Sequence, residues 1–111
     1  MTEFGTVRVA AIQATPVILD AEATVEKAIR LIGEAAADGA QLAVLPETFV
    51  PLYPSGTWAK AAAAFDGFDE LWERLWANSV DVPGPLTDRL AEACAEHGIH
   101  VAIESRSDER R

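Results

Sequence analysis

Few side chains in this 111-residue sequence combine a reactive type with a setting that could use it. Glu47 follows the apolar run Gln41 to Leu45 and Pro46. In open α/β sheets ligands gather outside the carboxyl ends of parallel strands, so a carboxylate there can act as a general acid or base. An ordinary solvated glutamate or a helix cap also fits the position, and pattern alone leaves the choice open. Cys94 is the single cysteine and a nominal nucleophile. Its spacing from Leu86 and Leu90 puts it on an inward helix face, where free cysteine acts as a small core residue. His97 and His100 lack a third and fourth ligand at regular spacing, so they are expected at a helix terminus and on a strand surface, with no metal. Trp72 and Trp76 share one helical face and predict deep packing, in the core or against a partner.

The elements that hold these residues follow from hydrophobic periodicity. Three apolar runs, Val7 to Ala14, Gln41 to Leu45 and Ile99 to Ile103, alternate with helical patterns. That alternation predicts an α/β fold of β-α-β units with a mainly parallel sheet. Asp20 is expected as the N-cap of a helix running to about Asp38, with Glu22 in its first turn and Gly39 as its left-handed stop. Val25, Ala28, Ile29, Ile32, Ala35 and Ala36 make its apolar stripe. Pro46 marks the end of the second strand, and a turn-rich stretch from Pro51 to Gly56 leads to a helix with Phe68, Leu71, Trp72, Leu75 and Trp76 on one face. Gly84 and Pro85 suit the N-cap and first position of a third helix, ended by Gly98. Its buried or half-buried face carries Leu86, Leu90, Ala93, Cys94 and His97. The terminal ESRSDERR carries six charges in eight positions and no apolar side chain, which predicts a solvated tail over 104–111 after a domain portion at 1–103.

Charge and composition narrow the function classes. Half of the residues are apolar and the formal net charge is -9. Acids exceed bases in both halves, by seven to three over residues 1–57 and eleven to six over residues 58–111. Neither half offers a basic platform, so nucleic acid is not an expected partner. An acidic surface is repelled by anionic headgroups, and no apolar run reaches the roughly 18 residues of a membrane span. A lone cysteine rules out an internal disulfide, and no secretory signal is read at the start, so a cytoplasmic location is expected.

Taken together, VRVAAIQATPVILD, GAQLAVLPETFVPLYP and VPGPLTDRLAEACAEHGIHVAI resemble the N-terminal part of the nitrilase branch of the carbon-nitrogen hydrolase family, over residues 7–103. GAQLAVLPETFVPLYP is the most specific piece, and in it the role of the family's first catalytic residue falls on Glu47. The resemblance implies an α-β-β-α sandwich, here in part, and hydrolysis of a nitrile to a carboxylic acid and ammonia by a Cys nucleophile, a Lys and a Glu. The thiol and the hydrolytic water each need a base, which the glutamate supplies; the lysine stabilises negative charge on the tetrahedral species. Burial of the glutamate in a closed site would strengthen it as a base. Tyr53 carries over as a pocket residue, a small nitrile or related C-N compound as the substrate, no cofactor, and homo-oligomerisation as an expectation.

Some residues depart from the family pattern. Ala43 and Leu45 replace bulkier aliphatic and aromatic residues, and Leu52 stands where a glycine usually precedes Tyr-Pro, which restricts the backbone beside the site. The family's Lys and its Cys-Trp-Glu motif lie beyond the matched strands. Lys27, Lys60 and Cys94 do not occupy those positions, so these 111 residues are expected to hold the base without the nucleophile and to be inactive alone. The competing expectation is a small α/β interaction module that docks a partner through the Trp72 and Trp76 helix.

Overall fold

A computed structural model describes residues 5–52 and 68–106. The described elements are β1 (Val9–Ala11), α1 (Ala21–Ala37), β2 (Leu42–Val44), α2 (Phe68–Ala77), α3 (Pro85–His97) and β3 (His100–Ala102). The expected strands are present, each with a shorter regular core than its apolar run. Tyr53, Lys60 and the Trp58 to Asp66 stretch lie outside the described residues.

The strands form a parallel sheet in the order β1-β2-β3. Val9, Leu42 and His100 are in register, followed by Ala10, Ala43 and Val101, then Ala11, Val44 and Ala102. Because the order advances in one direction and parallel crossovers share one hand, α1 and α3 are delivered to the same face. There they pack on each other. Side chains alternate across a strand, so Ala10, Ala43 and Val101 turn toward the helices and join Ile32, Ala35 and Ile99 in one cluster. The opposite face carries Val9, Val44 and His100, which are exposed. The described residues thus make one helical layer on one sheet.

The caps are those the residue types dictate. Asp20 accepts a hydrogen bond from Ala23 N at 2.9 Å, and Gly84 and Pro85 open α3, which Gly98 closes in the left-handed conformation. The first helical N–H of α1 is satisfied at long range, donated by Ala21 to Asn78 Oδ1 at 2.9 Å, which docks the end of α2 on the start of α1. Thr24 is wholly buried, and its hydroxyl both accepts from Val17 N and donates to Val17 O. Its polar cost is therefore met. The predicted stripe of α1 is the buried one, with Val25, Ala28 and Ile32 fully enclosed; Ala21 and Thr24 extend it.

The chain departs from the sequence expectation after Ile103. Glu104, Ser105 and Arg106 continue alongside β2's own continuation, and Val50 and Ser105 form a parallel bridge. Arg106 N donates to Val50 O at 2.9 Å, and Val80 N donates to Arg106 O at 2.7 Å. Backbone pairing is indifferent to side-chain charge, so a polar segment can extend an edge strand wherever its side chains reach water. Residues 107–111 lie outside the described residues.

Candidate functional site

Glu47 sits in the turn that follows β2, at the carboxyl end of the central strand. Both feet of this turn are fastened to the same neighbouring segment. Before it, Leu45 N donates to Ala102 O at 3.0 Å; after it, Val50 N donates to Glu104 O at 3.5 Å and Val50 O accepts from Arg106 N. Leu45, Phe49 and Val50 are buried, at 6%, 1% and 1% exposure, whereas Glu47 is exposed. The apolar residues thus root the turn in the core, and the carboxylate projects from it. Thr48, next to Glu47, has φ +44°. A β-branched residue in the left-handed region costs about 1–3 kcal/mol and persists only when its surroundings hold it. The anchored feet supply that hold. A carboxylate on such a turn can take a proton from a thiol or a water brought to within about 3 Å.

The other candidates are not gathered around Glu47. The last turn of α3 precedes β3 directly, so it lies by the amino ends of the parallel strands, away from the carboxyl end that carries Glu47. Cys94 is half-buried there. Burial pushes its thiol above the ordinary value, a backbone hydrogen bond opposes this in part, and the thiolate needed for attack is disfavoured. His97 stands in the last turn of α3, the helix-terminal place expected of it; it is exposed rather than half-buried and lies over Gly33 of α1. His100 is on the open sheet face, as a strand-surface residue should be. No cluster of three metal-ligating side chains occurs among the described residues. A cavity of about 140 Å³ lies among Val25, Val50, Val80, Leu90 and Ile103. It belongs to the helix side of the sheet, and Glu47 does not line it.

Trp72 and Trp76 do not take the core alternative: they are 43% and 45% exposed, and it is Leu75 between them that is buried. Their rings hold a cation. The Arg106 guanidinium carbon is 5.1 Å from the centroid of Trp72 and 5.7 Å from that of Trp76. Arg106 and the 104–106 segment are what sequence reasoning missed at this site. The available signal was the pair of tryptophans one turn apart, a cation-binding face whose cation lies thirty residues downstream.

With this geometry in view, comparison with known proteins identifies the relatives. The sequence model of the carbon-nitrogen hydrolase family matches residues 8–110. A nitrilase of Bacillus sp. strain OxB-1 is 41% identical over 93 residues, which is 84% of this chain and 26% of that protein. A cyanide hydratase of Armillaria gallica is 41% identical over 98 residues, covering 88% of this chain and 27% of the relative. An aliphatic nitrilase of Rhodococcus rhodochrous is 38% identical over 104 residues, covering 93% and 28%. The chain spans about a quarter of the length of these curated relatives. Its single helical layer on a parallel sheet agrees with a partial carbon-nitrogen hydrolase fold, and no described helix is long and apolar enough to cross a membrane. A match over nearly the whole length, together with relatives near 40% identity, settles the family: the chain belongs to the carbon-nitrogen hydrolases.

Proposed function

We propose that this chain contributes the general-base glutamate, Glu47, to a nitrilase-type active site. In that reaction a cysteine thiol adds across the nitrile to give a thioimidate, with Glu47 taking the thiol proton and passing it to the nitrile nitrogen, which restores the carboxylate. A first water, activated by the same carboxylate, displaces ammonia and leaves a thioester. A second water then cleaves the thioester to the carboxylic acid and restores the thiol. Tyr53 is assigned to the substrate pocket. The substrate is a small nitrile or a related C-N compound, and the setting is cytoplasmic.

The observation that carries this reading is the pairing of family membership over residues 8–110 with a carboxylate on a doubly anchored turn at the end of the central strand. Cys94 is not offered as the nucleophile, because it lies by the opposite ends of the strands and its thiol is held up by burial. The 111 residues by themselves are therefore proposed to be inactive toward nitriles.

A chimera tests the assignment. Residues 8–110 replace the matching segment of the Rhodococcus rhodochrous aliphatic nitrilase, and ammonia release is measured with Glu47 intact and as Glu47→Gln. General-base catalysis contributes typically 10²–10⁴-fold, so kcat should fall by about that factor. A Glu47→Gln chimera that keeps kcat within about threefold of its parent would refute the role.

A further inference from the structure

We propose that Arg106 is a positioning residue for Glu47: clamped against Trp72 and Trp76, it fixes the segment to which the far foot of the Glu47 turn is fastened. The importance of that position rests on reading Glu47 as the base. Three observations meet at this one residue.

The first is backbone connectivity. Arg106 N donates to Val50 O at 2.9 Å, Arg106 O accepts from Val80 N at 2.7 Å, and Glu104 O accepts from Val50 N. Arg106 is thus where the end of the Glu47 turn, the β3 extension and the segment after α2 are joined. The second is the side chain. Its guanidinium lies 5.1 Å and 5.7 Å from the Trp72 and Trp76 centroids, while its Nε is buried without a hydrogen-bond partner. A buried guanidinium nitrogen without a partner is costly unless something else holds the cation, and two aromatic faces supply that hold. The third is Thr48. Its φ of +44° beside Glu47 needs both feet of the turn to be fixed. One foot rests on Ala102, inside β3, and the other on the Glu104 to Arg106 extension. The second foot therefore rests outside the regular part of β3, and the aromatic hold on Arg106 is what fixes it there.

The arrangement also accounts for two half-exposed tryptophans on α2. Their faces serve a cation of the same chain. Removal of the guanidinium should release α2 and the turn together, although the two are distant in sequence.

The test uses the 111-residue chain, labelled for NMR, as wild type, Arg106→Met, Arg106→Lys and Trp76→Leu. Methionine keeps an apolar stem and loses the charge; lysine keeps the charge. In Arg106→Met, amide exchange at Val80 and at residue 106 should accelerate about tenfold, with Ala28 and Ala93 unchanged. The Cα and Cβ shifts of Thr48 should move away from left-handed values. Arg106→Lys should restore most of both effects, and Trp76→Leu should reproduce them from the other side of the contact, which covers the case of a poorly folded Arg106→Met. Unchanged Thr48 shifts and Val80 exchange in Arg106→Met and Trp76→Leu, or failure of lysine to restore them, overturns the proposal. None of these readouts depends on Glu47 acting as a base, so the outcome is separate from that of the chimera.

Discussion

Replacing Gly33 by alanine should stabilise the protein, although it adds a methyl group at the contact between two helices. Gly33 lies inside α1, where glycine is less favourable than alanine by about 0.8–1.0 kcal/mol. The added Cβ would meet one neighbour, the imidazole of His97, at 3.2 Å from Nε2 and 3.3 Å from Cε1. Those distances are a few tenths of an ångström too short, so the sign depends on whether the ring can give way. His97 is exposed in the last turn of α3, and its χ angles are not locked by a core. A residual off-rotamer strain of roughly 0.5 kcal/mol leaves a net gain of about 0.5 kcal/mol, or 2–4 °C in a domain of this size. The assay is urea unfolding followed by far-UV circular dichroism, read as a rise in midpoint at constant m. His97→Ala in the Gly33→Ala background should raise the gain toward about 1 kcal/mol, because the contact is then absent. Gly84→Ala is the opposing control: its Cβ would lie 2.7 Å from Asp81 O, a backbone atom that cannot swing aside, and the midpoint should fall. A lower midpoint for Gly33→Ala that His97→Ala does not repair would refute the reasoning, since the obstruction would then be the helix packing itself.

Two further outcomes follow from groups whose partners are known. Asp20→Ala removes the acceptor for Ala23 N and should cost about 1 kcal/mol in urea unfolding, whereas Asp20→Asn should retain most of the stability; equal losses would show that charge, not capping, matters there. The Cys94 thiol is raised above its ordinary value of 9.0 in the folded state. The unfolded chain then loses this proton first as pH rises, so the contribution is fully present below pH 9.0 and declines as pH climbs from there toward the folded value. Urea midpoints measured from pH 8 to 10.5 should therefore fall more for the wild type than for Cys94→Ala; parallel curves would show that burial does not act on this thiol.

Where the sequence was legible, each local signal had a single structural solution. The stripe of α1 is one: Val25, Ala28 and Ile32 recur at helical spacing, and all three are fully buried. The joints are another, because Gly98 can adopt its φ of +60° without a side-chain penalty and Pro85 needs no N–H partner at the start of α3. The position of Glu47 after β2 was legible for the same reason, since Pro46 ends the apolar run. What holds the Glu47 turn was not. Its feet are backbone hydrogen bonds to residues 102–106, and backbone donors and acceptors are common to nearly every residue, so no composition marks them. The charge count of ESRSDERR pointed toward solvent instead.

The tryptophans show the same limit from the opposite direction. Hydrophobic periodicity ranks Trp72 and Trp76 with Leu75 and predicts one face packed in the core or against a partner; of the three, the core encloses Leu75. An indole has an apolar body and a negative π face, so it can be satisfied by burial or by a cation. Periodicity registers only the first. Here the cation is Arg106, in the segment whose charge suggested a tail. Each half is ambiguous in sequence: two aromatic residues at helical spacing, and an arginine in a charged polar segment. Brought together by the pairing of Val50 with residues 104–106, they resolve each other and fix the far foot of the turn that carries Glu47.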